Sequence, residues 1–201
     1  MIRPPASWTA AIAVLACAGP VLAHHSISMI ETTTPIWVKG TVVSYEAINP
    51  HVLITLDKHD DDGPVERWTV EGPILARLAR MNLPDNFLKP GDVIEVCGFP
   101  LKQEVLAKAP VPRILPALFM HGHLLVMPDG LLRPWGPYGK LANCVRPSDT
   151  PQSWADFVNT NAMGLEYWCR SVRSRPPLAS TSVASKAFMD EVKGLLAKPC
   201  E

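Results

Sequence analysis

A chain of 201 residues holds about one domain plus an appendage, and at 47% hydrophobic and 19% charged residues it can bury a real core, which excludes a disordered chain. Lysine plus arginine and aspartate plus glutamate balance at 19 each, so there is no net field to draw in nucleic acid or an anionic membrane. The 21 prolines argue for many turns and edges and against a helical bundle.

The first 23 residues have the order of an export signal. Arg3 supplies the positive start, Trp8–Ala18 the apolar core, and Val21-Leu22-Ala23 a small-residue cleavage site. The apolar run is too short to span a bilayer and Gly19-Pro20 interrupts it, so no transmembrane helix is expected after signal removal. Cleavage after Ala23 starts the mature protein at His24-His25-Ser26 and sends it to the periplasm or outside the cell. The competing reading is a lipoprotein signal with Cys17 as the lipid-bearing residue, to which Leu15 is the poorer fit.

After a polar lead-in to Pro35, two strands are expected over Ile36–Glu46 and His51–Asp57. Val38, Thr41, Val42 and Val43 suit a pleated surface, and Val52, Ile54 and Leu56 alternate with Leu53, Thr55 and Asp57. Gly40 inside the first strand suggests a bulge or corner, and Asn49-Pro50 a turn between the two. The acidic run Asp60-Asp61-Asp62 is a solvated turn. A calcium loop starting at Asp57 would need a glutamate where Trp68 stands. A third strand follows over Val65–Glu71, then a short helix over Pro73–Met81 with Ile74, Leu78 and Met81 on its apolar stripe and Arg77 and Arg80 outward. A turn at Lys89-Pro90-Gly91-Asp92 feeds a fourth strand, Val93–Phe99. Ala109–Pro116 reads as a stiff connector to a fifth strand, Leu118–Met127, and Pro128-Asp129-Gly130 turns into Leu131-Leu132. The tail changes character, with helices expected over Pro151–Ala162 and Ser182–Lys198.

This order predicts a mainly β fold: a small OB-like β-barrel of five to six strands with one inserted short helix, plus a C-terminal helical extension. The domains are then a signal peptide over 1–23, the barrel over 24–134 and a disulfide-tied helical tail over 135–201. The His-His-Ser after the export signal, the KGTV strand (Lys39–Val42), the Asn49-Pro50-His51 corner and the KPGD turn (Lys89–Asp92) together resemble a family of small exported bacterial proteins, domain of unknown function 6152. The resemblance covers about Ala23–Val126. It implies an exported OB-like domain and brings no catalytic residues with it.

With Cys17 removed, Cys97, Cys144, Cys169 and Cys200 remain, an even number in an oxidising compartment, and two disulfides are expected. Three pairings are open. Cys144 with Cys169 would staple the first tail helix, and Cys97 with Cys200 would tie the chain's end to the barrel. A zinc site is the weaker use, since no two of them have C-x-x-C spacing.

Candidate chemistry rests on histidine. A free His24 combines an α-amine of pKa about 7.7–8.0 with an imidazole. His25 adds a ring and an amide, and copper(II) heads the divalent affinity order for such nitrogen ligands. The plain alternative is a polar start that suits the signal peptidase. His121 and His123 sit two apart on a strand and share a face with Phe119 and Leu125, leaving Met120, Leu124 and Val126 to the core. That pair is either a metal half-site, with Gly122 allowing close approach, or two solvated rings. His51 joins the metal candidates from the strand corner, where a hydrogen bond to a carbonyl would equally explain it. Trp37, Trp68, Trp135 and Tyr138 are candidates for an aromatic ligand face, or else core and rim. No hydrolase, metalloprotease or phosphate-loop motif occurs, and nothing pairs Glu46, Glu66, Glu71 and Glu95 as acid and base. The expected function is a non-enzymatic binding or accessory protein whose partner is another exported protein or a small ligand. Copper handling is the alternative, and an enzyme without a recognisable motif the second.

Overall fold

The computed structural model describes residues 27–60, 63–81, 83–84, 86–107, 118–136, 141–161, 163–173 and 184–200. The export signal, His24, His25, the connector Ala109–Pro116 and Tyr138 lie outside the described residues.

The strands are β1 (Ile36–Glu46), β2 (Leu53–Lys58), β3 (Glu66–Glu71), β4 (Val93–Pro100), β5 (Phe119–Val126) and β6 (Leu132–Pro134). Their order is β3-β2-β1-β4-β5-β6, all neighbours antiparallel, and a parallel pairing of β3 with β5 closes the first five into a barrel. That is the OB-like barrel the alternation implied. Val38, Val42, Ile54, Leu56, Val70, Ile94, Val96, Met120 and Leu125 point inward and are buried. Each such side chain contributes roughly 1.5–3 kcal/mol by leaving water. Helix α1 (Leu75–Arg80) lies under one end with Leu78 buried, and a single-turn helix α2 (Gln103–Leu106) follows β4. The corner after β1 holds a cis Asn49-Pro50 bond.

Gly40 is not the bulge. The register of β1 against β2 shifts between Val42 and Ser44, leaving Val43 as the extra residue, 36% exposed. Gly40 instead lets two backbones approach, since a Cβ there would come 2.8 Å from the carbonyl oxygen of Asp57.

The tail holds three described helices rather than two: α3 (Pro151–Thr160), α4 (Gly164–Arg173) and α5 (Lys186–Leu195). Thr150 accepts from the Ser153 N–H at 3.1 Å while the Ser153 hydroxyl accepts from the Thr150 N–H at 3.2 Å, a capping box that starts α3 beside Pro151. These helices bury Trp154, Phe157, Tyr167 and Trp168 against the outer sides of Cys97 and Leu124, so the tail is the second layer of the molecule. The disulfides are Cys97–Cys144 and Cys169–Cys200. The first fastens β4 to the tail and the second fastens the chain's end to α4. The pairing of Cys97 with Cys200 gives way because Cys97 points outward beneath the 3-10 turn Leu141–Cys144. Among the described residues no helix is long and apolar enough to cross a membrane.

Candidate functional site

Register decides which polar groups meet at one end of the barrel. Cross-strand partners share a face, so Glu71, the last residue of β3, stands beside Leu53 of β2 and His121 of β5 on the outside. His51 arrives from the corner just before β2. Its Nδ1 lies 3.2 Å from the Gly72 carbonyl oxygen and 3.4 Å from Oε1 of Glu71. The same Oε1 lies 3.6 Å from Nε2 of His121. One carboxylate oxygen therefore sits between two imidazoles from separate parts of the chain. Glu71 is only 6% exposed, while the side chains of His51 and His121 keep 26% and 19%.

His123 sits behind His121, with ring centroids 5.5 Å apart, and packs edge-on against Phe99 at 4.9 Å. It is buried under the chain after β6, where a Cβ on Gly136 would meet its ring at 2.9 Å. The phase of β5 differs from simple alternation. Cys97 pairs with Leu124 but Gly98 pairs with Gly122, so His123 is an extra residue in a bulge. His121, His123 and Leu124 then all face outward, and Leu125 turns into the barrel with Met120. The shared face of His121 and His123 holds. The expected company of Leu125 outside and Leu124 inside is reversed.

Gly122 serves a different close approach from the one expected. It lies inside the barrel, where a Cβ would come 2.7 Å from Trp135, and a Cβ on Gly72 would come 2.5 Å from the same indole. Trp135 is fully buried and plugs this end against Phe87, ring centroids 5.5 Å apart. Arg77, expected to face outward, donates to the Gly136 carbonyl at 3.1 Å and lies 5.9 Å from the Tyr167 ring centre.

The aromatic candidates do not share a face. Trp37 lies outside against the tail with the Arg146 guanidinium 4.4 Å above its ring, Trp68 lines the inner rim, and Trp135 is core. Of the metal candidates, His51 and His121 meet at Glu71, His123 supports them from behind, and His24 and His25 lie outside the described residues. Among the described residues no group of three or more histidine, cysteine, aspartate or glutamate side chains is arranged to hold an ion. Glu71 is the residue that sequence reasoning missed. Its link to His121 exists only through the parallel closure of β3 on β5, a pairing without a local signal.

No curated protein matches the chain. Among solved structures the mitochondrial single-stranded DNA binding protein Rim1 of S. cerevisiae is similar at 7% identity, covering 48% of this chain and 95% of that one with a TM-score of 0.33, a likeness too slight to speak of a ligand. Residues 11–107 match the model of a family of unknown function, DUF6152, which takes in β1 to β4, His51 and Glu71 and stops short of β5 and the tail. The segment that builds most of this barrel thus belongs to the family of unknown function DUF6152.

Proposed function

We propose that the protein is an exported, non-enzymatic binding or accessory protein whose ligand is held at the barrel end formed by His51, Glu71 and His121. The observation that carries this reading is the single buried oxygen of Glu71 between two partly exposed imidazoles. A nearly buried carboxylate costs desolvation energy, and well-packed apolar residues in the place of such groups are often neutral or stabilising. A barrel built for stability alone has no need of it. Export is supported by the order of residues 1–23 and by two disulfides, which persist in oxidising compartments. A nucleic-acid ligand is disfavoured, because lysine plus arginine and aspartate plus glutamate balance over the chain, and the outer face of β1–β3 sets Glu46, Asp57 and Glu71 against Lys39 and Arg67, with no excess of positive charge for a phosphate chain. Nuclear magnetic resonance of the labelled mature protein tests the site, with copper(II), zinc(II), inorganic phosphate and an oligothymidine as probes. Shifts or broadening centred on residues 51, 71 and 121 for one probe support it. Responses confined to other surfaces sink it.

Copper is the chemically specific form of this reading, favoured by how Met29 and Ile30 are held against the barrel. Ile30 bridges Leu101, whose N–H donates to the Phe119 carbonyl at 3.3 Å, and the Lys102 N–H donates to Met29 at 2.9 Å. Phe119 stands two residues before His121. Two strand spacings and two residues along β5 make a path of roughly 12 Å. His24, six residues before Ile30, has a reach of roughly 20 Å at full extension. Terminal sequencing and copper(II) paramagnetic resonance of the exported protein check this form. A His24 start with a nitrogen-rich signal that His24→Ala abolishes is the expected result, and processing elsewhere removes it.

A further inference from the structure

We propose that the cleft beside the Cys169–Cys200 bridge is a thiol-exchange site, at which a small thiol bearing acidic groups forms a mixed disulfide with Cys200. The site is separate from the barrel end and independent of what that end binds. The two bridges stand in different surroundings. Cys97 and Cys144 are both fully buried in the tail core. Cys200 is only partly buried, and Cys169 lines a cleft of about 420 Å³ between α4 and the last residues of the chain. Small-molecule sites have volumes of about 300–1,000 Å³. Leu165 and Pro199 give this cleft its apolar lining, and Glu166, Arg173 and Lys198 its charged lining. Glu166 is engaged by Arg170 at 3.0 Å, whereas among the described residues Arg173 and Lys198 have no ion-pair partner. The cleft thus sets uncompensated positive charge beside a disulfide.

Helical spacing sets the chemistry. Arg173 follows Cys169 by four residues on α4, so the two side chains are neighbours on one face. A disulfide opens when a thiolate attacks one sulfur and the other leaves as a thiolate, faster as the pKa of the leaving thiol falls. A neighbouring cation lowers that pKa. The incoming thiolate attacks Sγ of Cys200, the more exposed cysteine. Its sulfur bonds to Cys200 as the bond to Cys169 breaks, and the electron pair leaves on Sγ of Cys169 beside Arg173. A second thiolate that attacks the adduct releases the external disulfide, so two thiols pass two electrons to the bridge. The tail does not need this bridge to stay packed. Met189 and Val192 of α5 are buried, and Asn159 donates to the Leu195 carbonyl at 3.2 Å and accepts the Ala197 N–H at 2.8 Å. Exchange therefore frees only the residues beyond Ala197.

The test exposes the exported protein, both bridges intact, to 2-mercaptoethanesulfonate, 2-mercaptoethanol and cysteamine, which carry negative, no and positive charge beside the sulfur. Iodoacetamide traps the freed thiols, peptide masses locate them, and rate constants are expressed per thiolate. The Cys169–Cys200 bridge is expected to open at least about tenfold faster than Cys97–Cys144, with the adduct on Cys200 and native circular dichroism retained. The anionic thiolate is expected to react roughly tenfold faster than the cationic one, as screened attraction and repulsion by two nearby cations dictate. The double variant Arg173→Gln, Lys198→Gln, altered only at polar side chains, is expected to lose that preference. If both bridges open together, if the adduct lies on Cys169, or if rates ignore thiol charge in parent and variant alike, the bridge is a structural staple and the proposal is overturned.

Discussion

Glu31 illustrates how much a single side chain can do before any core exists. Its Oε1 accepts the Thr33 hydroxyl at 2.6 Å and the N–H groups of Thr33 and Thr32 at 2.8 and 2.7 Å. These bonds, the Thr33 hydroxyl first, hold its pKa down to about 2 against an ordinary 4.5. A lowered pKa favours the folded state above the unfolded value, so this contribution is present above pH 4.5 and is lost as pH falls toward 2. A carbon-detected titration of Glu31 is expected to give a midpoint near 2, and a midpoint near 4.5 would show the loop is not held. Gly122→Ala is expected to cost about 1–3 kcal/mol in urea denaturation, because its Cβ would meet both Trp135 and Val70 at 2.7 Å. Trp135→Ala is expected to cost about 3–5 kcal/mol. The histidines and Trp135 were visible in the sequence as residues. Their partners were not, since Glu71, Gly72 and Gly122 reach them from distant parts of the chain.

At the scale of elements, alternation located all five barrel strands to within two residues, because each has one face on a core. The phase of β5 was out of reach. Its bulge is a property of the pair it forms with β4, and the extra residue moved Leu124 to the tail and Leu125 to the interior. Helix α4 did leave a signal, with Leu165, Trp168 and Val172 at helical spacing and Glu166 placed to pair with Arg170, an ion pair of 3.0 Å in the structure. Cysteine count predicted two bridges, whereas connectivity needed coordinates. Replacing Cys97 and Cys144 by alanine is expected to remove about 4 kcal/mol, from a loop separation of 47 residues, and replacing Cys169 and Cys200 slightly less, from 31. Denaturant midpoints of the two double variants check the order.

For the whole molecule, the tail is a structural layer rather than an appendage. It covers the outward side chains of Cys97, Leu124 and Trp37 with its own tryptophans. Arg146 bridges the layers through Glu95 at 2.7 Å and the face of Trp37. A chain ending at Pro134 is therefore expected to expose this apolar face. Dye binding and self-association should rise in size-exclusion chromatography, and a monodisperse barrel of unchanged melting temperature would contradict the two-layer account.

The sequence by itself determined the class: β alternation and turn chemistry are local, so a small barrel with a helix between its strands follows from them, as do an even set of cysteines and a family of unknown function over the first half. Tertiary structure alone decided three things: which sulfurs pair, which face of β5 is inside, and that Glu71 stands between His51 and His121. Each depends on contacts between segments far apart in the chain, where barrel closure and the packing of the tail, rather than any local preference, set the distances.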